Sequence, residues 1–194
     1  HELSEEELDS FFGPTLVESF SRYAKDQNEV DEMIAYYREY NVANHDDIVK
    51  PFAGAKDMLK TLHKSGYQIA VVSSKKTDLV IHGLEFCHLM PYIDLVIGSD
   101  ECKNHKPDPE GINLALEKLN EKRIVKKQFA PRAIEDQKRH SMYIGDAISD
   151  IKAAKNAGIR SCGVLYIKHP EVLLEETPDF AIAKLTEVIA ICGE

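Results

Sequence analysis

Residues 141–159 read SMYIGDAISDIKAAKNAGI, which predicts a short buried strand, a turn and a helix. The strand MYIG ends just before Asp146, and Asp150 follows four residues later. Gly158 stands where a glycine commonly ends a helix. Acids that follow a buried strand are typical of a ligand site at the carboxyl edge of a parallel sheet. The stretch therefore suggests a cation site whose remaining ligands must come from elsewhere.

Helix and strand patterns alternate on both sides of this stretch. Near-continuous apolar runs predict parallel strands covered on both faces, in YQIAVVSS (67–74), YIDLVIGS (92–99), MYIG (142–145) and RSCGVLYI (160–167). Helical spacing of apolar residues separates these runs and returns at 186–191. This order predicts an α/β fold with an open, Rossmann-like parallel sheet.

The first 48 residues follow a different pattern. Ser4 with Glu7 three residues later is a capping box that starts a helix. Apolar residues then recur at helical spacing, at Val30, Met33, Ile34 and Tyr37. Lys50-Pro51 reads as a linker. We therefore expect a small helical domain over residues 1–48, placed before an α/β core domain over residues 49–194.

Composition narrows the functional classes. The net charge is −9, which argues against a nucleic-acid partner. No apolar run reaches the ~18 residues that a membrane span needs, and no secretory signal is visible. The four cysteines are scattered, so we expect reduced thiols in a cytoplasmic protein, with disulfides the weaker alternative. The basic stretch 121–140 is interpreted as solvated surface, with partner binding as the alternative.

Polar residues collect where the predicted strands end. Ser73, Ser74 and Lys75 follow the first strand, Lys106 follows the second, and the two acids follow the third. Ligands bind at this edge of such sheets, and Mg²⁺ prefers carboxylate, water and phosphate oxygens. Each residue alone also has an ordinary explanation, such as a strand-end serine, a surface lysine or an acid in the first turn of a helix.

The ordered set is more specific than its members. The series VVSS, KPDP and YIGDAISD resembles motifs two, three and four of the haloacid dehalogenase superfamily. PFAGAKDMLKTLHKSGY resembles the segment that returns from the helical cap of that family, and AGIRSCGVLYI and TPDFAIAKLTEVI resemble its last strand and terminal helix. FFGPTLVESF resembles the cap of the phosphoglycolate phosphatase and pyrophosphatase branch. The resemblance covers nearly the whole chain.

The resemblance implies roles for individual residues. Ser73 corresponds to the phosphate-binding hydroxyl of motif two and Lys106 to the catalytic lysine of motif three. Asp146 corresponds to the Mg²⁺ ligand of motif four, and Asp150 to the acid that supports it in the metal site. Gly145 is expected to allow a close approach at this point.

Four further residues are implied less directly. Ser74 and Lys75 flank the expected phosphate site. Gly13 and Thr15 lie where the cap of the family reaches toward substrate.

One motif of the resembled family is missing from the sequence. The family's first strand ends in Asp-x-Asp, whose first aspartate becomes an aspartyl-phosphate, and it lies between the strands that here read VVSS and MYIG. Strands lie ~4.8 Å apart, so its absence would leave a slot ~10 Å wide. We therefore expect a further N-terminal strand and loop of roughly 30–40 residues. Direct pairing of the two flanking strands would contradict this expectation.

The resemblance thus predicts an Mg²⁺-dependent phosphatase, monomeric or homodimeric, that acts on a small phosphorylated metabolite. Phosphoglycolate is the first expected substrate and inorganic pyrophosphate the second. A phosphosugar mutase of the same superfamily is an alternative that product analysis would separate. The missing Asp-x-Asp motif leaves a further alternative from another class, a non-catalytic fragment or protein that binds phosphate or a partner.

Overall fold

The structure is a computed structural model that describes residues 3–11, 13–125 and 133–193, with the backbone alone at 123–125. The chain divides into two compact units, His1–Lys50 and Pro51–Glu194. Residues 126–132, which belong to the basic stretch interpreted as solvated surface, lie outside the described residues.

The first unit is helical, as the sequence predicts. Its helices are α1 (Glu5–Asp9), α2 (Leu16–Phe20) and α3 (Gln27–Ile48). The predicted capping box is present, since the Ser4 backbone N–H donates to Glu7 Oε2 at 2.8 Å. Val30 and Ile34 of the predicted apolar stripe are buried on α3. The helical spacing of this segment therefore builds an apolar face inside the unit.

The second unit alternates helices and strands. In its described residues the helices are α4 (Ala55–Lys64), α5 (Thr77–Phe86), α6 (Glu110–Val125), α7 (Ile134–Arg139), α8 (Ile148–Ala157), α9 (Pro170–Glu175) and α10 (Glu187–Gly193), and the strands are β1 (Ala70–Val72), β2 (Leu95–Ile97), β3 (Met142–Gly145), β4 (Arg160–Val164) and β5 (Phe180–Ile182). Every strand pair is parallel. The predicted α/β class with parallel strands is confirmed.

The strands form two separate sheets in the described part of the chain. One contains β1 and β2, and the other has the order β3-β4-β5. The strands β1 and β3 are therefore not paired with each other. Direct pairing of these two strands would have contradicted the expected additional strand between them. Both strands are only half-buried, whereas β4 is buried from Ser161 to Val164.

Helices cover both faces of the three-stranded sheet. One apolar cluster joins α6 to α8 through Ile112, Leu116, Ala153, Ala154, Ala157 and Ile159, with Tyr143 of β3 packed against it. The other joins α4 and α10 to β4 and β5 through Met58, Leu62, Cys162, Val164, Ile182 and Val188. This two-sided burial explains why the strands read as continuous apolar runs.

Some elements differ from the sequence prediction. The strands β1, β2 and β4 are shorter than predicted, because the apolar runs extend beyond the residues that pair in the sheets. The strand β5 and the helices α7 and α9 were not predicted. They are three to six residues long, and the sequence around them lacks the longer apolar runs that flank the equally short β1 and β2.

Two expectations from composition can be compared with the structure. All four cysteines are free thiols. Among the described residues, every helix falls short of the length and hydropathy that a bilayer crossing requires.

Candidate active site

An ion pair lies at the carboxyl end of β3. Lys106 Nζ donates to Asp150 Oδ1 at 2.6 Å. The two side chains are 15% and 6% exposed, so both charges are largely removed from water. A buried pair of this kind is costly to disrupt, because loss of one partner leaves the other charge uncompensated. The sequence prediction placed both residues in the site but did not predict this contact.

The other oxygen of Asp150 closes the turn between β3 and α8. Asp150 Oδ2 accepts hydrogen bonds from the backbone N–H groups of Asp146 at 3.2 Å and Ala147 at 3.1 Å. A Cβ atom at Gly145 would lie 2.3 Å from Asp150 Cβ, closer than real Cβ contacts come. The close approach expected at Gly145 is thus that of the Asp150 side chain to the end of the strand.

The loop before α6 presents Lys106. The Glu110 carboxylate accepts from the backbone N–H groups of Lys103 at 2.8 Å and Asn104 at 2.9 Å. Asn156 Nδ2 on α8 donates to the Pro107 carbonyl at 2.9 Å. The Lys106–Pro107 peptide bond is cis. These contacts hold the loop at both ends, so the lysine is fixed against α8.

Tyr143 is a site residue that the sequence analysis missed. Its hydroxyl accepts from Lys106 Nζ at 3.3 Å and donates to the Val72 carbonyl of β1 at 2.9 Å. Burial raises the pKa of Tyr143 to about 12, so the phenol stays protonated at neutral pH. One signal in the sequence could have indicated Tyr143. By strand alternation it lies on the same face of β3 as Gly145, which the sequence analysis had placed at the site.

The charge state of Lys106 follows from its surroundings. Burial alone would lower the pKa of the ammonium group, but attraction to the oxygens of Tyr143 and Asp150 and the hydrogen bonds to both outweigh it. The net effect raises the pKa of Lys106 above its ordinary value. The site therefore contains a permanent positive charge at physiological pH.

Asp146 lies beside this pair with an exposed side chain. Partial burial, followed by repulsion from Asp150, raises the pKa of the Asp146 carboxyl group. Such a carboxylate is stabilised by a nearby cation, and Mg²⁺ is held by oxygen ligands of this kind. The donor set at this end of the sheet therefore fits Mg²⁺, with Asp146 as the carboxylate best placed to receive it.

The residues after β1 form the other side of the site. Ser73 N–H donates to the Ile97 carbonyl at 2.9 Å, which extends the β1–β2 ladder by one bond. Ser73 Oγ accepts from the Lys75 backbone N–H at 3.1 Å. Ser73 and Ser74 are half-buried and Lys75 is exposed. Since Val72 is bonded to Tyr143, the Ser73 turn and the Lys106 pair are joined through one tyrosine.

Two predicted site residues belong to the helical unit. Gly13 has a φ of 105°, a left-handed backbone conformation that favours glycine. Thr15 caps α2, since its Oγ1 accepts from the Glu18 backbone N–H at 3.3 Å. The backbone conformation of Gly13 and the capping hydrogen bond of Thr15 give each residue a structural role within the helical unit. Their roles toward substrate stay predictions.

Comparison with known proteins gives a consistent result. A family model described as haloacid dehalogenase-like hydrolase matches residues 1–164. A pyrophosphatase from Listeria monocytogenes is 36% identical over 187 residues, which is 96% of this chain and 78% of that protein. A pyrophosphatase from Bacillus pumilus is 33% identical over 98% of this chain and 81% of its own length.

Solved structures share the fold. A haloacid dehalogenase-like family hydrolase from Streptococcus pneumoniae matches with a TM-score of 0.74 and 22% identity, over 98% of this chain and 82% of its own. A predicted phosphoglycolate phosphatase from Haemophilus somnus matches with a TM-score of 0.73 and 20% identity, over 98% and 83%.

Proposed function

Since this chain belongs to the haloacid dehalogenase-like hydrolase family, we propose that it serves as an Mg²⁺-dependent phosphatase. The observation that carries the proposal is the buried Lys106–Asp150 pair, with Nζ and Oδ1 2.6 Å apart, beside the exposed carboxylate of Asp146. A fixed cation and a cation-binding acid at one sheet edge suit a phosphoryl group.

Lys106 supplies fixed positive charge. Its ammonium group is held in place before substrate arrives, so no reorganisation is required when charge moves onto the phosphoryl oxygens. Asp150 fixes the direction of the lysine side chain through one oxygen and the start of α8 through the other. Ser73 donates its hydroxyl hydrogen to a phosphoryl oxygen from the β1 side, with Ser74 and Lys75 flanking the same group.

Asp146 is the residue that would hold Mg²⁺, with Asp150 supporting it. When bound, Mg²⁺ neutralises phosphoryl charge and orients the group for displacement. The oxygens of Asp150 already accept hydrogen bonds from Lys106, Asp146 and Ala147. Of the two aspartates, the exposed Asp146 therefore provides the main carboxylate ligand for the cation.

The nucleophilic aspartate is carried by a strand between β1 and β3. Ile69 O and Ser73 N are bonded to β2, so by alternation the backbone groups of Ala70 and Val72 face the other way. Ser141 O accepts from Arg160 of β4, so the groups of Met142 and Ile144 likewise face away from β4. A parallel strand in this position would pair on both sides and end beside Lys106, where its aspartate can form the aspartyl-phosphate.

The substrate is a small phosphorylated compound. The relatives at 36% and 33% identity are named as pyrophosphatases, so inorganic pyrophosphate is the first substrate to test. Phosphoglycolate is the second, through the resemblance of the FFGPTLVESF segment.

The test is phosphate release by the complete enzyme, with the nucleophile strand present, from pyrophosphate, phosphoglycolate and p-nitrophenyl phosphate, each with and without Mg²⁺. Release that requires Mg²⁺ and is abolished by Asp146→Asn, with the far-UV circular dichroism unchanged, supports the proposal. Near-normal release by Asp146→Asn at saturating Mg²⁺ contradicts the role of Asp146. Phosphate binding without turnover of any of the three compounds supports the non-catalytic alternative.

The intact mass and N-terminal sequence of the protein from its source test the origin of the nucleophile. A mass several kilodaltons above 21.9 kDa, with a strand that ends in Asp-x-Asp, places the nucleophile in the same polypeptide. A mass of 21.9 kDa would mean that the strand comes from a separate chain or that turnover is absent.

A further inference from the structure

Tyr143 reaches across the space between the two sheets. It is the second residue of β3, and its hydroxyl donates to the Val72 carbonyl of β1 at 2.9 Å. Its ring packs on the apolar cluster of α6 and α8, so the side chain crosses on the face of the sheet that these two helices cover. A backbone carbonyl has two lone pairs, so this bond leaves Val72 able to pair with an added strand as well.

The same hydroxyl is a second anchor for the catalytic lysine. Lys106 Nζ lies 3.3 Å from the Tyr143 hydroxyl and 2.6 Å from Asp150 Oδ1. It also lies 5.7 Å from the centre of the Tyr143 ring. One anchor would leave the ammonium group free to rotate about a single contact, whereas two anchors in different directions fix its orientation.

The number of N–H donors on Lys106 explains why its orientation matters. An ammonium group has three N–H donors. One is directed to Asp150 and one to Tyr143, which leaves the third for a ligand oxygen. Because Tyr143 uses its own hydrogen on Val72, it meets the lysine as an acceptor. The hydroxyl therefore accepts from the lysine and donates to the carbonyl of β1.

Packing alone does not account for a tyrosine here. The cluster against which Tyr143 packs is aliphatic and consists of Ile112, Leu116, Ala153, Ala154, Ala157 and Ile159. A buried hydroxyl is unfavourable unless it is hydrogen-bonded, and phenylalanine would fill the same space without that requirement. The polar atom is explained by its two partners rather than by the apolar cluster.

We propose that Tyr143 is a positioning residue that aims the third N–H of Lys106 at the phosphoryl group, with Val72 as its support. This inference rests on the proposed function for the role of the lysine. It adds a residue that acts through Lys106 rather than by contact with substrate or metal.

The test compares Tyr143→Phe with Tyr67→Phe. Both changes remove a hydroxyl that donates to a backbone carbonyl, since Tyr67 donates to the Cys192 carbonyl away from the lysine. The rate at which Lys106 is acetylated by limiting N-hydroxysuccinimidyl acetate is measured by peptide mass spectrometry. We expect a rise of about tenfold at Lys106 in Tyr143→Phe, the factor for one lost hydrogen bond, and no change in Tyr67→Phe.

Two internal controls separate positioning from unfolding. Lys122 and Lys155 donate to backbone carbonyls elsewhere, and their acetylation rates should stay constant in Tyr143→Phe. A Lys106 rate within twofold of the parent protein would overturn the proposal. A parallel rise at all three lysines would also overturn it, because the tyrosine would then be only structural.

Turnover provides a second readout. In the complete enzyme Tyr143→Phe should lower kcat by about tenfold and leave KM within about twofold. The direction of the Lys106 N–H matters most in the transition state, where negative charge develops on the phosphoryl oxygens. A raised KM with unchanged kcat would contradict positioning. If the parent protein releases no phosphate from any substrate, the proposed function fails, while the acetylation result still decides whether Tyr143 orients the lysine.

Discussion

Asp150 on the β3 side of the candidate site and Ser73 on its β1 side differ in burial and in the hydrogen bonds that their side chains accept. On the β3 side, Asp150 accepts hydrogen bonds from Lys106, Asp146 and Ala147 and is 6% exposed. On the β1 side, Ser73 Oγ accepts one hydrogen bond from the Lys75 backbone, and the lysine is exposed.

This difference separates two tasks within one site. The β3 side forms its charge network before any ligand arrives, so its residues contribute to both stability and chemistry. On the β1 side, Ser73 and the exposed Lys75 carry donor groups that suit a ligand, so we expect these two residues to contribute to chemistry with little effect on stability. Substitutions on the two sides should therefore differ in whether activity and stability change together.

The largest effect is expected for Lys106→Ala. The phosphate-release rate of the complete enzyme should fall at least ~100-fold, the scale for loss of one electrostatic stabiliser. The free energy of unfolding should fall by about 3 kcal/mol, because a buried carboxylate loses its partner. Steady-state kinetics and urea unfolding measure the two losses.

Lys118→Ala is the matched control for that change. Lys118 pairs with Glu101, but the two side chains are 36% and 27% exposed. Removal of a partly exposed pair should cost under about 1 kcal/mol. A rate loss below about tenfold in Lys106→Ala would mean that Lys106 is structural.

Gly145→Ala should be next in size. The added Cβ would lie 2.3 Å from Asp150 Cβ and 2.5 Å from Asp150 Oδ2. Relief of this contact must move Asp150, which should cost about 2–3 kcal/mol of unfolding free energy. Urea unfolding followed by circular dichroism measures the loss.

Gly163→Ala controls for the removal of a strand glycine. Gly163 pairs with Gly145 in the sheet, and its added Cβ would be 3.4 Å from the nearest atom, on Pro178. It should change stability by less than about 1 kcal/mol. Equal losses in the two variants would show that the Asp150 contact does not matter.

Ser73→Ala should separate activity from stability. We expect phosphate release to fall about tenfold, since one hydrogen bond to a charged group is lost, while unfolding free energy changes by less than about 1 kcal/mol. Kinetics and urea unfolding on the same preparation provide both values. A stability loss as large as that of Lys106→Ala would remove the distinction between the two sides.

The smallest effect is expected from pH at Asp179. The backbone N–H and hydroxyl of Ser161 both donate to Asp179 Oδ2 at 2.8 Å and hold the pKa of that carboxyl group below its usual range. A carboxyl group with a lowered pKa stabilises the folded protein at pH values above the pKa of the unfolded state, about 3.9. This stabilisation is lost as the pH falls through the pKa of the folded state. The stability difference between the parent protein and Asp179→Ala should therefore shrink below about pH 4. A difference that stays constant from pH 7 to pH 3 would contradict this assignment.

Sequence patterns located the edge of the site but not its contacts. Strand order alone places Ser73, Lys106 and Asp146 at one edge, because parallel strands end on the same side. The pairing of Lys106 with Asp150 depends on the rotamer of the lysine and on a loop held by Asn156. Neither feature can be predicted from the local pattern of apolar and polar residues.

Tyr143 was missed for a related reason. It stands inside an apolar strand, where a tyrosine is an ordinary residue. Its partner Val72 is 71 residues away in sequence, so the contact appears only once β1 and β3 are placed side by side. The strand β5 was missed because its apolar run, FAIA between Asp179 and Lys184, is shorter than the runs that revealed the other strands.

The most direct test of the central claim is Mg²⁺ binding by isothermal titration calorimetry, with and without inorganic phosphate, for the parent protein and Asp146→Asn. We expect one Mg²⁺ site that is lost in Asp146→Asn. Phosphate and Mg²⁺ should also strengthen each other's binding by the same factor, as linkage requires. Equal Mg²⁺ affinity in both proteins, or phosphate binding that ignores Mg²⁺, would contradict a phosphoryl site built on Asp146 and Lys106.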